Sequence, residues 1–371
     1  MKEIRSIVKA YDSINFTTTK AVLATVARVE GSSYRRTGAR MLVLDDGTYL
    51  GGISGGCLEG DALRRARKAL VLDKPAIVTY DTTQEDNHQI GVGLGCNGII
   101  DVLFTPLNNK DEQNPVRLLS GLTNIRQPRV VVTITECSNR LNGLGRTLLF
   151  QNDDQFLESF VIKNIRSSVL TDIKECLVQQ RSQTITYNYN NEGDKIKIFI
   201  EVILPVTHLV IYGSNNDIYS MIRISRELGW DITVVTNVSK ADKSLFSLTT
   251  RVINSTGTEE PVTDDYTAIL LMAHDYKTDF MNLKKALQTN CSYIGLLGPK
   301  KRTDKMFEAL SNEGNPVSAA NQERIFSPAG LDIGASTPEE IALSIAAEIR
   351  SHFAGRKGMS LRLREGTIYE N

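Results

Sequence analysis

The stretch Gly51-Gly52-Ile53-Ser54-Gly55-Gly56-Cys57-Leu58-Glu59-Gly60-Asp61 sets one cysteine inside a glycine-rich turn. Upstream, Met41-Leu42-Val43-Leu44 and Thr48-Tyr49-Leu50 read as strands around an Asp46-Gly47 hairpin turn. Downstream, Leu63, Ala66 and Leu70 recur at helical spacing within Asp61 to Leu72. The order is strand, strand, tight turn, helix, which places Cys57 at or near a helix N-terminus. Unpaired backbone N–H groups and the helix dipole favour an anion there, either a bound phosphate or the thiolate of Cys57 itself. The alternative is a buried cysteine packing as a small hydrophobe. Four glycines in the six residues before Cys57 weigh toward function, because a core position needs no such backbone freedom.

Outward from this turn, residues 21 to 107 resemble residues 129 to 207. Ala21-Val22-Leu23-Ala24-Thr25-Val26 matches Arg129-Val130-Val131-Val132-Thr133-Ile134. Thr37-Gly38-Ala39-Arg40 and Leu42-Val43-Leu44 match Gly143-Leu144-Gly145-Arg146 and Leu148-Leu149-Phe150. Ile77-Val78-Thr79-Tyr80 pairs with Ile185-Thr186-Tyr187, and Asp101-Val102-Leu103 with Glu201-Val202-Ile203. Two copies of a strand-strand-helix-strand-strand unit would form one α+β domain over residues 1–206, since one short sheet with one helix buries little alone. Chance similarity between alternating strands is the competing explanation. In the second copy Glu158 to Asn164 faces Gly51 to Cys57 and Glu192 to Ile198 faces Gly91 to Gly98, and neither segment keeps the cysteine or the glycine run. The first copy would then hold the site, and residues 108–128 would form a linker with a short helix around Pro115 to Leu122.

From Thr207 the pattern alternates strand and helix: strands at His208-Leu209-Val210-Ile211-Tyr212, Asp231 to Val235, Ala268 to Met272 and Cys291 to Ile294, and a helix from Asp217 to Leu228. The chain as a whole is therefore α/β, its N-terminal α+β domain followed by a Rossmann-like doubly wound parallel sheet over residues 207–353. Residues 354–371 form a basic tail. Thr337, Pro338 and Glu340 spell a capping box for the last helix. The dinucleotide fingerprint is incomplete. Gly213 supplies its first glycine, Asn215 stands where the second should let a pyrophosphate approach, and no third follows. The second strand ends at Thr236-Asn237, without the acidic residue that would bind a ribose hydroxyl, so tight NAD(P) binding is not expected. His274-Asp275 falls at the carboxyl edge, where such sheets bind ligands; a polar surface pair is the plainer alternative.

The 371 residues suggest two or three domains. Forty-three basic and 43 acidic side chains balance, with no basic stripe to support nucleic-acid binding. No window approaches eighteen consecutive apolar residues and the first residues have no apolar leader, which reads as a cytoplasmic protein with no membrane partner. Five cysteines, at 57, 96, 137, 176 and 291, contain no CxxC pair, against both a disulfide framework and a structural zinc site.

Several of these segments together resemble a known family. Ala24-Thr25-Val26 through Glu30-Gly31-Ser32-Ser33, Arg36-Thr37-Gly38-Ala39-Arg40-Met41 and the Gly-Gly-Cys-Leu-Glu run are similar to the N-terminal domain of the XdhC/CoxI family. Tyr293-Ile294-Gly295-Leu296-Leu297-Gly298, and Ser327-Pro328-Ala329-Gly330-Leu331-Asp332-Ile333-Gly334 leading into Thr337-Pro338-Glu339-Glu340, extend the resemblance to the far end. It implies an accessory factor that binds molybdenum cofactor as cargo, assists its sulfuration and inserts it into a molybdenum hydroxylase of xanthine dehydrogenase type. A cysteine desulfurase partner and a homodimer are further implications. The residues carried into that expectation are Cys57 as the contact to molybdenum, Gly55 and Gly56 around it, Arg40 for the pterin phosphate, and Cys96 in a second glycine turn. Gly213, His274 and Asp275 complete the set. The family has Gly-Cys-Gly-Gly at the second turn, whereas this chain has Asn97 after Cys96. Two other readings stand beside it: an NAD(P)-dependent oxidoreductase using the Rossmann-like domain and His274, and a regulatory scaffold without a ligand.

Overall fold

The computed structural model describes residues 1–83, 98–137, 143–189 and 193–366. The chain divides into two compact units, Glu3–Pro205 and Val206–Asn371.

The first unit contains strands β1 (Ala21–Gly31), β2 (Arg40–Leu44), β3 (Tyr49–Gly51), β4 (Ala76–Asp81), β5 (Gly98–Pro106), β6 (Arg129–Cys137), β7 (Thr147–Phe150), β8 (Gln183–Asn188) and β9 (Lys195–Ile203). They form two antiparallel sheets, ordered β3-β2-β1-β5-β4 and β7-β6-β9-β8. Residue alternation assigns the faces. Val22, Ala24 and Val26 of β1 pack with Ala62, Ala66 and Leu70 of the helix Glu59–Leu72. Val130, Val132 and Ile134 of β6 do the same with Val169 and Ile173 of the helix Arg166–Gln179. The opposite faces, through Leu23, Leu42, Val131 and Ile203, share a core with the helices Lys2–Asp12 and Pro115–Ser120.

The two sheets repeat one another closely. The β1–β5 register shifts between Val26 and Arg28, and the β6–β9 register between Ile134 and Glu136. Gly38 N donates to Val26 O at 2.8 Å and Gly145 N to Ile134 O at 2.8 Å. Both 14-residue helices start after a buried residue, Leu58 or Ile165, and end on a left-handed cap, Asp73 or Gln180. The pairings correct the sequence match in two places. Arg40 corresponds to Thr147 rather than Arg146, because both pair opposite equivalent residues, Thr25 and Thr133. Asp101-Val102-Leu103 corresponds to Lys197-Ile198-Phe199, four residues before Glu201-Val202-Ile203. An even slip keeps every side chain on its face, so the hydrophobic pattern alone cannot detect it.

The second unit contains β10 (His208–Tyr212), β11 (Asp231–Thr236), β12 (Arg251–Asn254), β13 (Thr267–Leu271), β14 (Tyr293–Leu296) and β15 (Ile325–Phe326). All are parallel, in the order β12-β11-β10-β13-β14-β15. This is the doubly wound order, with its switch point between β10 and β13. One face of the sheet, including Leu209 and Ile211, packs with the helices Asp217–Glu227 and Pro338–Phe353. The other, including Val210 and Tyr212, packs with Tyr276–Leu287 and Lys300–Asn312. The capping box forms: Glu340 N donates to Thr337 Oγ1 at 3.3 Å and Thr337 N to Glu340 Oε2 at 2.9 Å. β14 begins two residues later than Cys291, because the Arg324 guanidinium takes the carbonyls of Leu287, Thr289 and Cys291. Among the described residues, no helix is long and apolar enough to cross a membrane.

Candidate functional site

The loop after β3 is bound tightly at both ends. Gly51 has φ +83°, and a Cβ there would stand 2.3 Å from Arg40 O, so only glycine lets β3 turn away beside β2. Gly52 N donates to Arg40 O at 3.0 Å. Ser54 and Glu59 are both buried. Ser54 Oγ donates to Glu59 Oε2 at 2.5 Å and accepts from Gly56 N at 3.2 Å and Leu58 N at 3.0 Å. Glu59 Oε1 accepts from Ile53 N at 3.2 Å and Ser54 N at 2.8 Å. Burial of Glu59 opposes its ionisation, but the donors from Ser54 and Ile53 outweigh it and hold the carboxyl below its usual range.

That frame leaves Cys57 exposed, one residue before the Leu58 cap. Its Sγ makes a long contact, 3.5 Å, to Ser54 Oγ. The backbone N–H groups of Gly55 and Cys57 have no partner among the described residues. Gly56 adopts φ +113° with open space around it, and Gly55 lies beneath the Tyr34 ring. The loop therefore offers an accessible soft donor beside two unspent amides at a helix start, an arrangement suited to an anion or a sulfur-seeking metal. Among the described residues no three His, Cys, Asp or Glu side chains converge on one point.

The Arg40 side chain does not reach this loop. Its side chain is 4% exposed, paired with Glu201, and donates to Gly38 O at 2.7 Å. The guanidinium ties the first sheet to β9 and is unavailable to a phosphate, because ligand capture would strand Glu201 as a buried charge. Cys96, with the turn Gly91 to Asn97, lies outside the described residues. Asp61 accepts from Tyr80 OH at 2.9 Å, Arg64 and Arg65, and anchors its helix to β4. In the second sheet the position of Cys57 is Asn164, whose Nδ2 donates to Tyr189 O at 3.3 Å. Of the two cysteines of that copy, Cys137 is half-buried on β6, and Cys176 is buried with its thiol pushed up to about 11 by desolvation.

The carboxyl edge of the parallel sheet has its own polar group. Gly213 serves packing: a Cβ there would stand 2.9 Å from Met272 O. His274 has φ +59° and its Nε2 lies 2.5 Å from Asp217 Oδ2. Asp275 is the N-cap of the helix Tyr276–Leu287, accepting from Thr278 N at 2.8 Å and Thr278 Oγ1 at 2.7 Å. These donors hold its carboxyl below the ordinary range and explain it without a ligand. Buried Asp279 accepts from Ala273 N at 3.0 Å and Arg302 at 2.7 Å, which fixes the unusual backbone at His274. A cavity of about 590 Å3 opens here, lined by Asp217, His274, Met272 and the start of the last helix. Sequence reasoning missed Ser54 and Glu59 as the frame of the thiol loop, and Asp217 as the partner of His274. The available signal was a hydroxyl and a carboxylate within the glycine stretch itself.

Comparison with known proteins follows the same division. Residues 209–349 match the XdhC Rossmann domain, and residues 17–81 match the XdhC and CoxI family. A probable xanthine dehydrogenase subunit of Bacillus subtilis (strain 168) is 30% identical over 337 residues, covering 89% of this chain and 92% of that protein. The molybdenum cofactor insertion chaperone PaoD of Escherichia coli (strain K12) is 24% identical over 331 residues, covering 89% and 83%. A crystal structure of a xanthine dehydrogenase from Bacillus halodurans superposes with a TM-score of 0.73 at 26% identity, covering 96% of this chain and 97% of that one. The chain belongs to the XdhC and CoxI family.

Proposed function

We propose that this protein is an accessory factor that binds molybdenum cofactor as cargo and delivers it to a molybdenum hydroxylase of xanthine dehydrogenase type, assisting its sulfuration. The observation that carries the proposal is the exposed thiol of Cys57 beside the unpartnered amides of Gly55 and Cys57, in a loop held by Ser54 and Glu59. Thiolate sulfur suits a soft metal centre, and backbone N–H groups at a helix start suit an anionic group of the same cargo. With Arg40 committed to Glu201, these amides carry the anion contact. The family membership and the names of the relatives support the same reading. A cysteine desulfurase as sulfur source, a homodimer and a cytoplasmic location belong to the proposal.

The test is anaerobic gel filtration of the protein mixed with molybdenum cofactor, assaying molybdenum and pterin in the protein peak, with Cys57→Ala in parallel. Near-stoichiometric retention that weakens in the variant supports the proposal; molybdenum running free of both proteins overturns it. The cavity at the switch point favours a second reading, an NAD(P)-dependent oxidoreductase. Against it, the Asp217 carboxylate stands at the turn where a pyrophosphate would bind, and like charge repels it. A rise in melting temperature with NAD(P) would revive that reading.

A further inference from the structure

The two sheets of the first unit meet at a small cavity, and the repeat between them shows where it comes from. Arg40 and Thr147 hold matching positions, opposite Thr25 and Thr133, and Thr105 and Glu201 do so opposite Leu23 and Val131. Arg40 reaches from the first sheet to Glu201 of the second, and its Nη1 donates to Gly38 O at 2.7 Å. The matching pair is Thr147 and Thr105, and Thr147 Oγ1 donates to Gly145 O at 3.3 Å. Glu201 Oε1 stands 2.7 Å from the place of a Gly38 Cβ, and Thr105 Oγ1 3.6 Å from the place of a Gly145 Cβ. Two long charged side chains fill one diagonal between the sheets, while two short hydroxyls underfill the other. A cavity of about 20 Å3 remains, lined by Arg40, Glu201, Thr25, Thr105, Thr133 and Thr147 among others.

Polar groups on its wall are short of partners. Arg40 is 4% exposed, and its Nε–H is buried with no acceptor among the described residues. A buried donor of this kind is ordinarily met by ordered water. Thr147, equally buried, gives its one hydrogen to Gly145 O and receives from Thr133 Oγ1, both at 3.3 Å and long for hydroxyl contacts. Its oxygen can accept once more. A void holds one water when it offers at least about 10–15 Å3 and two to four polar partners, and this one meets both conditions. The charges settle the occupant. Arg40 and Glu201 neutralise each other, so an anion would meet the carboxylate and a cation the guanidinium.

We propose that this cavity is the site of one resident water, which accepts from Arg40 Nε and donates to the hydroxyls of Thr105 and Thr147, supplying by hydrogen bonds the second tie that the repeat omits. Arg40 O also receives Gly52 N at 3.0 Å, so the water braces the residue from which the thiol loop hangs. The site does not rest on the handling of cargo at Cys57. Its test is a crystal structure of the full chain at a resolution that shows ordered water, with a bromide-soaked crystal beside it. In solution, the matching readout is a nuclear Overhauser contact between water and the Arg40 Nε–H. The expected result is one density peak within hydrogen-bond distance of Arg40 Nε, Thr105 Oγ1 and Thr147 Oγ1, no bromide signal there, and the Overhauser contact. Thr105→Val combined with Thr147→Val keeps the shape of the cavity and removes both acceptors, and should lose the peak and the contact. The double variant is first checked for cooperative unfolding; should it fail, the wild-type density and the contact decide. No peak in the wild type, a peak replaced by bromide, or a peak undiminished in the double variant would overturn the proposal.

Discussion

The two antiparallel sheets of the first unit share the order of four strands, bulge position, turn and helix caps, yet the one with the extra strand β3 exposes a thiol in a glycine loop and the other does not. Both helices need only a buried apolar residue at their start, Leu58 or Ile165. Ahead of Ile165, the second sheet fills the space with the helix Asp153–Ser159 and packs Phe160 and Ile162 into its core. Around Leu58, the first sheet spends a buried carboxylate, Glu59, and a buried hydroxyl, Ser54, to hold the glycine loop and Cys57 at the surface. The scaffold does not require that loop, which argues that the loop exists for a ligand.

The largest expected effect breaks the tie between the sheets. Arg40→Ala strands Glu201 as a buried charge and should cost about 3–5 kcal/mol in denaturant unfolding. Thr147→Ala, at the matching position, should cost about 1 kcal/mol. Equal losses would contradict the assigned difference.

Next in size, Glu59→Gln weakens the charge-assisted bonds of the loop and should cost about 1.5–3 kcal/mol, whereas Arg166→Gln at the matching position should cost less than about 1. The pH dependence sharpens this test. The folded carboxyl of Glu59 lies below its ordinary range, so its stabilisation is complete above about pH 5 and is lost as pH falls through about 4 toward the folded value. Acid unfolding of Glu59→Gln should lack that component. A wild-type and variant pair with parallel acid profiles would remove Glu59 from the frame.

Gly56→Ala meets no neighbour, so its cost, about 1–2 kcal/mol, is backbone strain at φ +113° alone. Lys163→Ala, its counterpart, should change stability by less than about 0.5 kcal/mol. The smallest contrast is a predicted equality. Tyr80 donates to Asp61 at 2.9 Å and Tyr187 to Asp172 at 2.5 Å, each tying a strand to the helix of its own sheet. Tyr80→Phe and Tyr187→Phe should each cost about 1 kcal/mol. A clear inequality would show that the sheets differ beyond the loop.

Much of this architecture is legible in the chain. The helical spacing of Leu63, Ala66 and Leu70, the run His208 to Tyr212 and the Thr337 capping box all became the elements their patterns imply. β12 and β15 escaped notice because they are short and half-exposed, with no strong alternation. The place of Cys57 in a turn at a helix start was legible because glycine density is a local signal. Arg40 was misread because its partner, Glu201, is 161 residues away and only the stacking of the two sheets brings them together. The roles of Ser54 and Glu59 depend on a side-chain network that no periodicity encodes.

The central claim is that the Cys57 loop is where cargo is held, and the most direct measurement is anaerobic alkylation of the cysteines, read residue by residue by mass spectrometry, with and without molybdenum cofactor. Cys137, half-buried on β6, serves as the internal reference, and Cys176 and Cys291 are buried. The account predicts that cofactor protects Cys57 and leaves Cys137 unchanged. Unaltered labelling of Cys57 while molybdenum co-elutes with the protein would contradict it.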